Sequence, residues 1–103
     1  MANNKIEVYQ NNTKTIACYI YGGLNLSTYT PYLTVKRKAT DTTTILEKTG
    51  LVTDPSTTVT FDLTSVDTSI AFGDYVYDIT IEDGTNVHTV VKDVFTILDG
   101  VRY

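Results

Sequence analysis

The sequence has one cysteine, Cys18, one histidine, His88, and no tryptophan. A single cysteine excludes an internal disulfide, so packing alone must join the parts of the fold. One histidine far in sequence from one cysteine gives no paired spacing for a metal. No apolar run approaches the ~18 residues that span a membrane as a helix. Nothing after Met1-Ala2-Asn3-Asn4 has the basic-then-apolar pattern of a secretory leader, which predicts synthesis in a cytoplasm without export. Positive charge is also scarce: eight Lys and Arg face twelve Asp and Glu, for a net charge of −4. Phosphate backbones need clustered positive charge, so a nucleic-acid partner is disfavoured. The basic cluster Lys36-Arg37-Lys38 follows Leu33 and Val35 and reads as the solvent end of a strand with a protected edge.

What is present favours strands. Threonine is abundant, tyrosine numbers eight, and strong helix formers are sparse. At 103 residues the chain has room for one domain, residues 1–103, and one core. A core of that size buries roughly two-thirds of the unfolded surface. The best-specified stretch begins at Gly73-Asp74. From there Tyr75, Tyr77, Ile79 and Ile81 alternate with Val76, Asp78, Thr80 and Glu82, the period of a half-buried strand. Asp83-Gly84 supplies the positive-φ chemistry of a hairpin, and Val87 to Ile97 supplies the returning strand. That hairpin belongs in the middle of a sheet. Continuous alternation past Val91 would bury Asp93, at a cost unless it finds partners, so a bulge is expected at Lys92-Asp93.

The rest of the chain alternates in shorter pieces. Ile6 and Val8 share one face. Ile16, Cys18 and Ile20 share another, which makes Cys18 a small buried hydrophobe rather than a reactive thiol. Gly22-Gly23 breaks that strand, and Leu24 to Pro31 reads as an irregular loop. Leu33, Val35 and Arg37 share a face. Thr44 to Lys48 reads as an edge strand that Gly50 to Thr53 extends after a kink. Val59, Phe61 and Leu63 point inward. Thr64-x-x-Asp67 has the spacing of a capping box, which predicts one helical turn near residues 64–68 crossing between sheets. Seven or eight short strands at regular spacing indicate an all-β two-sheet sandwich or a small barrel.

A search for chemistry finds little. There is no Gly-x-Ser-x-Gly, no His-Glu-x-x-His, no phosphate-binding loop and no Cys–His pair of known spacing. Glu82, Asp83 and Asn86 lack the full calcium-loop pattern and read as a hairpin turn. Asp74 with Asp78, and Asp62 with Asp67, have better local roles as strand, turn or cap residues than as paired acids. The chain reads as a non-enzyme with no cofactor and no metal. Tyrosine is a more useful signal. Tyr19, Tyr21, Tyr29, Tyr32 and Tyr103 exceed what one small core can hold, and tyrosine buries much area while keeping a polar tip. Tyr19 and Tyr21 stand opposite Ile16, Cys18 and Ile20, so their sheet has a second face available to a partner. These five tyrosines are the candidate interface.

Gly73-Asp74-Tyr75-Val76-Tyr77 resembles the entry to the penultimate strand of an immunoglobulin-like sandwich. Tyr75 stands at the place of a tyrosine corner, and Tyr77 lies where antibody domains carry their second cysteine. The longer stretch Leu63-Thr64-Ser65-Val66-Asp67-Thr68, followed by Gly73-Asp74-Tyr75-Val76-Tyr77-Asp78-Ile79, resembles a segment of immunoglobulin-like domains in bacteriophage virion proteins. Leu33-Thr34-Val35-Lys36 fits the same pattern. The likeness is to the amino-terminal domain of baseplate upper proteins and to small capsid or tail accessory proteins, and it is clearest from Thr57 on. Asp93-Val94 departs from the glycine frequent in that family, and Val101-Arg102-Tyr103 from its Val-Thr-Arg. The fibre or coiled-coil region of baseplate proteins is not in this sequence.

The resemblance implies an immunoglobulin-like sandwich of seven or eight antiparallel strands in a virion. Its implied partners are the major capsid protein or other virion proteins, in many copies, with no nucleic acid and no membrane. Because the chain is a single domain, an auxiliary (decoration) capsid protein is expected ahead of a tail or baseplate adaptor. A carbohydrate-binding module that uses exposed tyrosines is the alternative of a different class.

Overall fold

The structure is a computed structural model describing residues 5–20, 25–38, 40–54 and 57–99. Period-two alternation places the strands: β1 (Ile6–Tyr9), β2 (Lys14–Tyr19), β3 (Thr30–Lys36), β4 (Leu46–Thr49), β5 (Leu51–Asp54), β6 (Thr58–Leu63), β7 (Gly73–Glu82) and β8 (Val87–Leu98). They form a five-stranded sheet in the order β1-β8-β7-β3-β4 and a three-stranded sheet in the order β2-β6-β5. Inward residues of both sheets make one hydrophobic cluster, with Leu33, Val35, Val59, Phe61, Ile81 and Phe95 fully buried at its centre. The faces assigned from alternation hold for Ile16, Cys18 and Ile20 and for Tyr75 to Ile81; Phe95 and Ile97 are buried as well, without the bulge at Lys92-Asp93 expected to turn them inward.

Not every pair is antiparallel. β1 runs parallel to β8, with Ile6 opposite Phe95 and Val8 opposite Ile97. Such a pair needs a long connection, and here the whole of the chain between β1 and β8 provides it. The β7–β8 hairpin lies inside the five-stranded sheet, with β7 at its centre. Its tip has Gly84 at φ 93°, and the Asp83 side chain accepts from the N–H groups of Thr85 (3.0 Å) and Asn86 (2.7 Å). Those bonds, Asn86's first, hold the Asp83 carboxyl below its usual value. The bulge is not at Lys92-Asp93. The ladder is regular from Val91 to Ile97 and skips Val90, between the pairs Ile79–Val91 and Thr80–Thr89. Asp93 therefore stays in register opposite Tyr77, half-buried, and its carboxylate accepts from the Val94 N–H at 2.7 Å.

Three local readings change. Residues 64–68 form a hydrogen-bonded turn closed by one bond from the Thr68 N–H to the Thr64 carbonyl (3.2 Å), too short for a helix. The capping box is nonetheless complete: Asp67 accepts from the Thr64 N–H at 2.9 Å, and Thr64 from the Asp67 N–H at 3.1 Å. The helical piece among the described residues is instead a 3₁₀ turn at Leu26–Thr28, capped by Asn25, in the stretch read as irregular. β4 and β5 are not one kinked strand. They belong to different sheets, and Gly50 is the crossing point, where a Cβ would lie 2.5 Å from the Thr60 carbonyl oxygen and 2.7 Å from the Phe61 ring. Lys36-Arg37-Lys38 ends β3, an interior strand, so no sheet edge is protected by it.

Two crossings between the sheets meet at one end. Thr68 is fully buried there, and its hydroxyl donates to the Asn12 carbonyl at 2.6 Å. The Asn11 N–H returns a bond to the Thr68 carbonyl (3.2 Å), with Asn11 at φ 66°, a conformation asparagine tolerates. Gln10 Nε2 donates to the Ile70 carbonyl at 2.9 Å. Lys48 points inward from the β4 edge and pairs with Asp67 at 2.8 Å.

Candidate functional site

β2 places Tyr19, one of the five candidate tyrosines. With Ile16 and Cys18 drawn into the core, period two forces Thr15, Ala17 and Tyr19 outward. Tyr19 is 64% exposed. Across β6, Ala17 is level with Thr60 and Tyr19 with Thr58, and on β5 Leu51 is level with Thr60. Leu51 is 67% exposed. The outer face of the three-stranded sheet is thus a flat surface of Ala17, Tyr19, Leu51, Thr58 and Thr60. Its carboxylates lie toward the rim: Asp62 accepts from the Thr15 hydroxyl at 2.9 Å, and Asp54 ends β5. The central strand β6 presents Thr58 and Thr60, flanked by Ala17 and Tyr19 on β2 and by Leu51 on β5, so large exposed apolar side chains alternate with hydroxyls across the face.

Tyr29 and Tyr32 are not brought to this surface. Tyr29 is half-buried against the core and stacks at a tilt on His88, ring centroids 5.9 Å apart. Tyr32 is half-buried on the outer face of the five-stranded sheet, beside Thr80 and Thr49. Tyr21 and Tyr103 lie outside the described residues. Tyr9, Val66, Phe72 and Val87 are also exposed, but on other strands or turns. Leu51 was missed because its orientation depends on the change of sheet at Gly50. A regular extension of β4 carries no such signal.

Between the free edge of β2 and strands β7 and β8 lies a groove of about 550 Å³. Its walls are largely apolar and include Ile6, Ile16, Cys18, Ile79, Val90 and Val91, with Lys5 at one end. Burial pushes the Cys18 thiol up, so it stays protonated and unreactive. The Tyr77 hydroxyl on the same wall is pushed up to about 12 by burial, then by Asp93 and Cys18. Neither group is activated for chemistry. Among the described residues, no three His, Cys, Asp or Glu side chains converge as metal ligands, and no helix is long and apolar enough to cross a membrane. Asp74, one of the acids considered in sequence, accepts from the Thr96 hydroxyl at 2.8 Å.

No protein-family model matches the chain, and no curated protein matches it.

Proposed function

We propose that this chain is a non-enzymatic virion structural protein, an auxiliary capsid protein that binds the shell through the outer face of its three-stranded sheet. The observation that carries the reading is that face: Tyr19 and Leu51 stand in water around Ala17, Thr58 and Thr60, with acids at the rim. Exposed tyrosine and leucine offer area to bury, and the threonines between them offer hydrogen bonds, a mixture that suits a protein partner. Area burial on a small patch is weak alone, and symmetric repetition over a shell multiplies it.

The immunoglobulin-like reading supports a virion origin through the resemblance of the Leu63–Ile79 segment. Strands β2, β6 and β5 face β3, β7 and β8, the partition of the B, E, D and C, F, G strands of immunoglobulin sandwiches. β4 adds beside β3 as in variable-type domains, while β1 pairs with β8. The Tyr75 hydroxyl donates back to the Ala71 carbonyl at 2.6 Å, two residues before Tyr77, as a tyrosine corner does.

Imaging of a particle that contains the protein tests the proposal. Copies arrayed over the capsid, with Tyr19 and Leu51 against the shell, support it. Copies confined to the tail at the number of a tail symmetry replace it with the adaptor role. Tyr19→Ala combined with Leu51→Ser should lower occupancy while the isolated domain stays folded, and unchanged occupancy refutes the assigned face.

A further inference from the structure

The two sheets have four edges: β1 and β4, β2 and β5. Natural sheets blunt their edges with short strands, inward charges, bulges or proline. Three edges here are blunted. β1 has four residues, β4 turns Lys48 inward, and β5 has four residues and a register shift after Val52. β2 has one charge on its inward side, Lys14 at its first residue, and neither a bulge nor a proline. It pairs with β6 without interruption from Lys14 to Tyr19, and the Ile20 N–H extends the ladder to the Thr57 carbonyl. Among the described residues, no strand pairs with its other side.

That last bond sets the phase of the ladder. Ile20 bonds to β6, so Cys18, Ile16 and Lys14 do too, and the N–H and C=O groups of Thr15, Ala17 and Tyr19 point to the open side. Directly beside this open side is the 550 Å³ groove, walled by Ile16, Cys18, Ile79, Val90 and Val91. A row of backbone donors and acceptors with no strand paired to them among the described residues calls for another backbone, and the apolar walls call for apolar side chains at every second position. Charge adds a third requirement. Lys14 begins the edge and sets a positive charge at one end of it.

We propose that the free edge of β2 receives an extended segment of another polypeptide, with small apolar residues alternating along it and an acidic residue at the end that meets Lys14. The added strand completes the sheet by main-chain hydrogen bonds and places its alternate side chains in the groove. This rests on the virion proposal only for the source of the segment.

The test uses the whole chain and a labelled synthetic peptide alternating valine and threonine, with aspartate at one end. Saturable binding by fluorescence anisotropy is expected, together with slowed hydrogen exchange at the Ala17 and Tyr19 amides. Ala17→Pro removes an N–H that faces the open side and leaves the β2–β6 ladder intact, so it should fold and bind about tenfold more weakly. A lysine-ended peptide should also bind more weakly. No saturation, or saturation without protection at Ala17, overturns the proposal, and these readouts stand even if the proline variant fails to fold. Protection at Ala17 that grows with protein concentration alone also overturns it, since the edge would then belong to a second copy. A negative result leaves the capsid reading untouched, because particle imaging decides that separately.

Discussion

The Tyr75 hydroxyl donates a 2.6 Å hydrogen bond to the carbonyl of Ala71, closing the crossover from the three-stranded sheet onto β7. The ring is buried, and the Arg37 guanidinium stacks over it 5.7 Å from its centroid. Tyr75→Phe keeps the packing and removes the bond. A loss of about 1 kcal/mol is expected from urea denaturation, with an unchanged m-value. A stability equal to that of the parent would mean the corner bond contributes nothing.

Thr68 offers a stricter case because it is fully buried. Thr68→Val preserves shape but leaves the Asn12 carbonyl without its donor. The cost should be about 1–3 kcal/mol, and the β1–β2 turn amides of Asn11 and Asn12 should exchange faster. Protection unchanged at those amides would show that the two crossings are not tied through this hydroxyl.

At Gly50, space is the limit. An added Cβ meets the Thr60 carbonyl and the Phe61 ring at distances no side chain tolerates. Gly50→Ala should destabilise by about 1–3 kcal/mol through displacement of β4 from β5. Stabilisation, the usual result of Gly→Ala where the residue fits, would contradict the packing at this crossing.

Acid acts on the capped turn. Burial pushes the Asp67 carboxyl up, but the Lys48 ammonium and the Thr64 N–H and hydroxyl outweigh it and hold the group below its usual 3.8. A carboxyl lowered by folding contributes fully above its unfolded value, and that contribution is lost as pH falls through the folded value. Thermal midpoints should therefore fall below about pH 4, and Asp67→Asn should flatten the curve in that window. Parallel curves for the two proteins would exclude Asp67 as a source of the acid sensitivity.

Surface substitutions should behave differently from all of these. Tyr19→Ala and Leu51→Ser remove exposed side chains with no hydrogen bond across the sheets, so each should change stability by no more than about 0.5 kcal/mol. A larger loss would mean that this face supports the fold rather than standing free for a partner.

Much of this protein is determined along the sequence itself. Period-two alternation assigns Ile16, Val59, Tyr77 and Phe95 to the core because a strand offers only two faces. Thr64 and Asp67 cap each other, and Asp83-Gly84 turns the hairpin, because both depend on neighbours within three residues. The Tyr75 hydroxyl likewise bonds to a carbonyl only four residues upstream. Tertiary structure decided what depends on partners remote in sequence. The parallel pairing of β1 with β8, the change of sheet at Gly50 and the interior position of β3 follow from how strands meet, not from their own residues. The bulge settled at Val90 because the pairing with β7 tolerates Asp93 opposite Tyr77, a compensation the local pattern does not display. Exposure of Leu51 on the same face as Ala17 and Tyr19, across the central strand β6, and the open edge of β2 above an apolar groove, exist only once three strands are assembled. Alternation tells a residue which side of its strand it occupies; the packing of the sheets decides whether that side meets protein or water.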